Sequence, residues 1–182
     1  MSFQTEHQKK LDDLAYQLNN LEELRRTANG GNSILFTYPP KEEQEYIDFL
    51  KQHYQDKAEF IDISKLFILL IDSLGWEEFE ELYKDLQSTP YLLFKSDSPE
   101  KDLFDSIIDA ISEANKHDKI PILMRTGMLC GTGIENQNIM EHKVVMALKH
   151  PLVILYPATF KNQDLMFLNF RPANKYRCTV VA

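Results

Sequence analysis

No stretch of this 182-residue chain approaches the roughly 20 uninterrupted apolar residues that a membrane-spanning helix needs; its densest apolar run is Leu66 to Ile71. Cysteine is scarce. Cys130 and Cys178 stand far apart and form no C-x-x-C pair, so neither a structural zinc site nor a disulfide framework is expected, and both read as free thiols. The histidines are scattered, with His142 and His150 eight residues apart where two metal ligands on one helical face need a spacing of four. They are expected to be solvated or to cap helices, with no metal bound. The opening MSFQTEHQKK lacks the apolar core of a secretory signal, which makes the cytoplasm the expected location. Positive charge is short as well: the net charge of −8 argues against tight, non-specific binding to duplex DNA, which rests on many Lys and Arg contacts to phosphate.

The charge is unevenly placed. From Lys143 onward six basic residues (Lys143, Lys149, Lys161, Arg171, Lys175, Arg177) face one acid, Asp164, so that this end carries +5 and the remainder −13. The basic end reads either as a solvated rim or as a docking surface for an acidic partner or nucleic acid. A composition 43% hydrophobic and 26% charged is that of a globular domain with one sizeable core.

Periodicity predicts an alternation of helices and strands. Leu11, Leu14, Leu18 and Leu21 mark an amphipathic helix within residues 1–28, expected to pack on a single α/β domain of residues 29–182 and closed by the glycines of NGGN. SILFTY reads as a buried strand; Tyr46, Phe49, Leu50 and Tyr54 then recur at helical spacing. A second strand, EFIDI, leads through Ser64 as the expected cap into KLFILLIDSLG, apolar on most faces and therefore expected to be buried, with Gly75 as its stop. Trp76, Phe79, Leu82 and Leu86 mark the next helix, whose Glu77, Glu78, Glu80 and Glu81 read as a solvated face rather than as catalytic carboxylates. QSTPYLLFKSDSP is a proline-bearing connector whose apolar centre must tuck against something. Leu103, Ile107, Ala110, Ile111 and Ala114 predict a helix feeding the strand IPILM, followed by a glycine loop and a helix reaching about Lys149. LVILY is the next strand, and DLMFLNF and YRCTVV are expected to pair as a hairpin across RPANK. The predicted fold is a three-layer α/β domain, a mostly parallel sheet with an antiparallel C-terminal edge, akin to a degenerate P-loop or Rossmann-like domain without a Walker motif.

Two turns are candidates for nucleotide binding. After the first strand, Tyr38-Pro39-Pro40-Lys41-Glu42-Glu43 has two prolines that remove N–H donors and two glutamates that already favour the positive helix end, so it starts a helix and holds no phosphate. The loop TGMLCGTGI offers Gly127, Gly131 and Gly133, and its T-G-x-x-x-G-x-G spacing mimics the short-chain dehydrogenases. A dinucleotide fingerprint also needs an acid at the end of the next strand, whereas LVILY ends in Tyr156-Pro157; the Tyr-x-x-x-Lys pair is missing too. A structural turn, with Thr132 or Asn138 capping the next helix and Glu135 or Glu141 as box partner, accounts for the same residues. The expectation is no cofactor and no catalytic residue, the alternative being a small nucleotide-binding enzyme or regulator that uses Gly127, Gly131 and Gly133.

Several stretches together resemble one family. ILFTYPPKEE, FIDISKLFILLIDSLG, TGMLCG and LVILYPATFKNQDLMFLNFRPANKYR stand in the order of motifs of the BrxB proteins of BREX phage-defence systems, from Ser33 to Arg177, with Ala158 where the family usually has glycine. The resemblance implies a bacterial cytoplasmic accessory subunit without established catalytic activity, working beside an alkaline-phosphatase-like PglZ protein, a methyltransferase and an ATPase. It makes Tyr38, Tyr156, Gln163 and Arg177 the candidate interaction residues. In the tail, strand alternation would separate Tyr176, Cys178 and Val180 from Arg177, Thr179 and Val181, turning Arg177 toward a carboxylate of a partner or of the acidic body.

Overall fold

The computed structural model describes residues 3–96, 100–173, 175 and 177–182. Its centre is a set of parallel strands: β1 (Ser33–Tyr38), β2 (Ala58–Asp62), β3 (Ile120–Met124) and β4 (Leu152–Lys161). With β5 (Asp164–Phe167), β6 (Arg171–Pro172) and β7 (Thr179–Val181) the described residues form a seven-stranded sheet in the order β2-β3-β4-β1-β7, with β5 on β4 and β6 on β5.

Alternation along the central strands sends side chains into two separate cores. Ile34, Phe36, Ile122, Met124, Val153 and Leu155 face one layer; Leu35, Leu123, Leu152, Ile154 and Tyr156 face the other. Strands buried on both sides need an apolar residue at nearly every position, and SILFTY is buried throughout. The first layer is made by α1 (Phe3–Asn19), α2 (Leu21–Thr27) and α3 (Glu43–Tyr54), through Leu11, Leu14, Leu24, Tyr46, Ile47 and Leu50. The second is made by α4 (Ile63–Leu74), α5 (Trp76–Asp85), α6 (Leu103–Lys116), α7 (Asn136–Met140) and α8 (Lys143–Met146). The three-layer, mostly parallel α/β architecture is therefore the one predicted.

Several local expectations need correction. Asp62, not Ser64, caps α4: its carboxylate accepts the Ser64 N–H at 3.0 Å and the Ser64 hydroxyl at 2.6 Å, because a charged acceptor two residues earlier satisfies two donors. The helix after the glycine loop breaks into α7 and α8, since His142 accepts the Val144 N–H on Nδ1 and starts a new helix. In the tail, β5 pairs antiparallel with the extension of β4, through a two-residue turn in which Asn162 (φ 50°) and Gln163 (φ 74°) both adopt the positive φ of a tight hairpin. β7 does not join β5. It crosses to the free edge of β1 and runs parallel to it, pairing Ile34 with Thr179 and Phe36 with Val181, while Thr37 donates its hydroxyl to the Val181 carbonyl at 3.0 Å. The antiparallel part of the sheet is thus the β4–β5–β6 wing, and the edge of β1 is covered.

The connector tucks as expected. Phe94, behind the 3-10 turn Pro90–Leu93, is buried and stacks on Phe67 of α4 with ring centres 5.3 Å apart.

Candidate functional site

In an open α/β sheet the place to look is the carboxyl edge where neighbouring strands send their connections to opposite sides. Here that is β1, whose chain leaves toward β2, beside β4, whose chain turns back as β5 and β6 before it reaches β7 on the far edge of β1. The edge is braced by its own side chains. Tyr38 is fully buried, stacks on Tyr46 at 5.4 Å and donates its hydroxyl to Glu43 Oε1 at 2.9 Å. Burial first, and then the Glu43 charge, push its phenol far above the ordinary 10.0, so it stays a donor. Arg125 ends β3 in the left-handed conformation (φ 59°); it donates to Gln44 Oε1 at 2.9 Å, and its Nε lies 3.5 Å from Asp62 Oδ2. One guanidinium thereby ties β2, β3 and α3 together. These groups face one another, an arrangement that braces the edge.

The glycine loop is also internally committed. The N–H groups of Met128, Cys130, Thr132, Ile134 and Glu135 donate within the segment, to Arg125, Gly127 and Leu129 carbonyls, the Thr132 hydroxyl and Asn138 Oδ1. A phosphate cradle needs consecutive N–H groups pointing one way, and here those of residues 128, 130, 132, 134 and 135 are used within the segment. The capping box pairs Glu135 with Asn138, neither Thr132 with Glu135 nor Asn138 with Glu141. Gly131 (φ 90°) and Gly133 (φ 74°) are required by the turn, whereas Gly127 sits in the 3-10 turn Thr126–Leu129 with ordinary packing room. Beside the loop lies a cavity of about 30 Å³ bordered by Thr126, Cys130, Glu135, Tyr156 and Arg171. That is room for a water molecule, an order of magnitude below the few hundred Å³ of a small-molecule site.

The four interaction residues named from the sequence do not come together. Tyr38 is inside the edge. Tyr156 is buried against Phe167, rings 4.8 Å apart, with its phenol pushed up to about 12 by burial and by Glu135. Gln163 is exposed at the tip of the wing. Arg177 is not on a strand: it stands in a turn at φ 57°, with its Nε 3.8 Å from Glu141 Oε1, so its carboxylate belongs to the same chain. Tyr176 lies outside the described residues. From Cys178 onward the alternation holds, with Cys178 and Val180 on one layer and Val181 on the other.

Sequence reasoning missed an exposed apolar surface on α4 and α5. Helix α4 was expected to be buried, yet of its side chains only Ile63 and Leu70 are, while Ile68 is 55% and Leu69 61% exposed. Trp76 of α5, read as a core position, is 63% exposed; Tyr83, Tyr91 and Leu92 join it. The reason is geometric. A helix on the outside of a three-layer fold has only one side toward the sheet, and the further cover that α5, α6, the connector and the turn Thr126–Leu129 give α4 leaves Ile68 and Leu69 exposed. The signal was present: an all-round apolar helix has more apolar faces than a single outer layer can cover.

Beneath this surface the rings of Phe67, Phe94 and Phe79 are in contact, and Phe79 continues outward to Trp76 at 6.0 Å and Tyr83 at 6.1 Å. Glu77, Glu78, Glu80 and Glu81 of the same helix are exposed, as expected. Among the described residues no three His, Cys, Asp or Glu side chains gather as a metal site, and no helix is long and apolar enough to cross a membrane. Comparison of the chain with family models, curated proteins and solved structures finds no match.

Proposed function

We propose that this chain is a non-catalytic assembly subunit of a BREX-type phage-defence complex, acting in the bacterial cytoplasm through protein–protein contacts. The ordered motifs from Ser33 to Arg177 support the family, and one structural observation supports the role: the exposed Ile68, Leu69, Trp76 and Tyr83 on two adjoining helices. Scattered apolar residues on a surface are ordinary, but large ones on adjoining elements mark a contact surface. The carboxyl edge and glycine loop, where an α/β enzyme would place its chemistry, are tied to themselves, which weighs against the nucleotide-binding alternative.

The direct test is co-expression with a tagged PglZ-like protein from the same genome. The reading expects stoichiometric co-purification that survives ATP depletion, and loss of phage protection on deletion. Failure of the chain to co-purify with the PglZ-like protein or with any other subunit of such a system would overturn it.

A further inference from the structure

The charged residues of α4 and α5 are predominantly acidic. Between Ile63 and Leu86 six carboxylates, Asp72, Glu77, Glu78, Glu80, Glu81 and Asp85, stand against two lysines, Lys65 and Lys84. Lys84 is already engaged by Glu80 at 2.6 Å. Leu69 also lines a groove of about 640 Å³ between α4 and α6 with Leu66, Leu70 and Ala110; its charged groups, Asp109 with Lys101 at 2.8 Å and Glu113 with Lys116 at 2.9 Å, are already paired, so the unbalanced charge lies on α5. The face is built of helices and presents no strand edge for an extended peptide to join by backbone pairing; what fits is a helix laid against its exposed apolar side chains. A second copy meeting this face about a two-fold axis would set a net −4 against a net −4, which is unfavourable in a desolvated contact. Exposed indole and phenol rings interleaved with carboxylates instead suit guanidinium or ammonium groups, which gain from the ring face and the ion pair together.

We infer that the α4–α5 face takes an amphipathic helix of another protein, with its apolar stripe seated on Leu69 and Trp76 and its lysines or arginines facing the α5 glutamates. This deepens the assembly reading and rests on it for the biological context alone; the surface can be tested by itself.

Trp76 is the chain's one tryptophan, so its emission reports directly on the face. The probes are two synthetic, tryptophan-free helical peptides of about 18 residues, five turns long, one of leucine and lysine and one of leucine and glutamate in the same pattern. The leucine–lysine peptide is expected to bind saturably, shift Trp76 emission to the blue and weaken as salt rises from roughly 50 to 500 mM. The leucine–glutamate peptide should bind at least roughly tenfold more weakly, a difference of about 1.4 kcal/mol. Leu69→Asp and the pair Glu77→Lys with Glu81→Lys, all exposed and therefore tolerated by the fold, should each weaken the basic peptide by about the same factor. Equal binding of the two peptides, an unchanged Trp76 emission, or indifference to both sets of substitutions would overturn the inference. So would a wild-type dimer in sedimentation that Leu69→Asp dissociates, which would assign the face to a second copy. If the peptides fail while the PglZ-like protein still co-purifies, the assembly role stands and this surface is wrong; the reverse result sinks the assembly role alone.

Discussion

Tyr91 fills the space that a side chain at Gly133 would need: a Cβ built on Gly133 would stand 2.2 Å from the Cβ of Tyr91. The connector is thereby pressed onto the glycine loop, and the loop's third glycine serves packing. Gly133 also has φ 74°, so alanine there meets both backbone strain and a steric clash. Gly133→Ala is expected to destabilise by about 1 to 3 kcal/mol, and Gly131→Ala by less, since its φ of 90° is unfavourable but the space around it is open. Thermal or urea melts of the two variants check the order. In the same preparations ATP and NAD are expected to give no saturable signal by calorimetry; micromolar binding lost in Gly131→Ala would restore the nucleotide reading.

Gly31 makes the corresponding contact for the tail. An added Cβ would lie 2.0 Å from the Arg177 carbonyl oxygen, a backbone atom that cannot rotate away. Gly31→Ala should lift the turn that feeds β7 and cost about 1 to 3 kcal/mol. Hydrogen exchange is the informative readout: amides of residues 179–181 should lose protection first, whereas uniform loss across the sheet would mean that β7 is not a separately detachable edge.

The Arg177–Glu141 pair is half-exposed on both sides, at 3.8 Å. Such a pair contributes little, so Arg177→Ala is expected to change stability by about 0 to 1 kcal/mol, and a double-mutant cycle with Glu141→Ala should give a coupling in the same range. Partner capture should be unaffected, because this charge is met within the chain. A loss of co-purification with an unchanged melting temperature would return Arg177 to the docking surface.

Stability should fall on the alkaline side. Burial pushes the Cys178 thiol from the ordinary 9.0 up to about 12 and, with Glu135, the Tyr156 phenol from 10.0 up to about 12. In both cases the folded chain keeps a proton that the unfolded chain has released. Their contribution is therefore complete below about pH 9 and is lost as the pH rises from there toward 12. Urea midpoints measured at steps across that window should decline, and more gently in Tyr156→Phe; a flat profile would show that these groups are solvated.

The hydroxyl of Tyr38 holds Glu43 at the carboxyl edge, donating to its Oε1 at 2.9 Å. Tyr38→Phe should cost about 1.5 to 3 kcal/mol, the range for a hydrogen bond to a charged acceptor, with little change in partner capture. A smaller effect in chemical denaturation would show that Glu43 finds solvent when released.

Much of the fold is legible in the order of residues. SILFTY, IPILM and LVILY are apolar at nearly every position because they are buried on both sheet faces, and that pattern needs no knowledge of their neighbours. The stop at Gly75 and the acidic, proline-bearing start of α3 are equally local, since a helix end is decided by the few residues that cap or break it. What the order of residues could not decide is everything that depends on which segments meet. The last strand pairs with β1 across more than 140 residues of chain, and nothing in TVV distinguishes that edge from the neighbouring hairpin. Arg125 reaches Gln44 and Asp62 only because β2 and β3 end side by side. The same holds for the apolar surface. Composition determined that α4 would be hydrophobic all round; only the layering determined that Ile68 and Leu69 would face outward, because the outer side of a helical layer is covered by another element or by nothing within the chain.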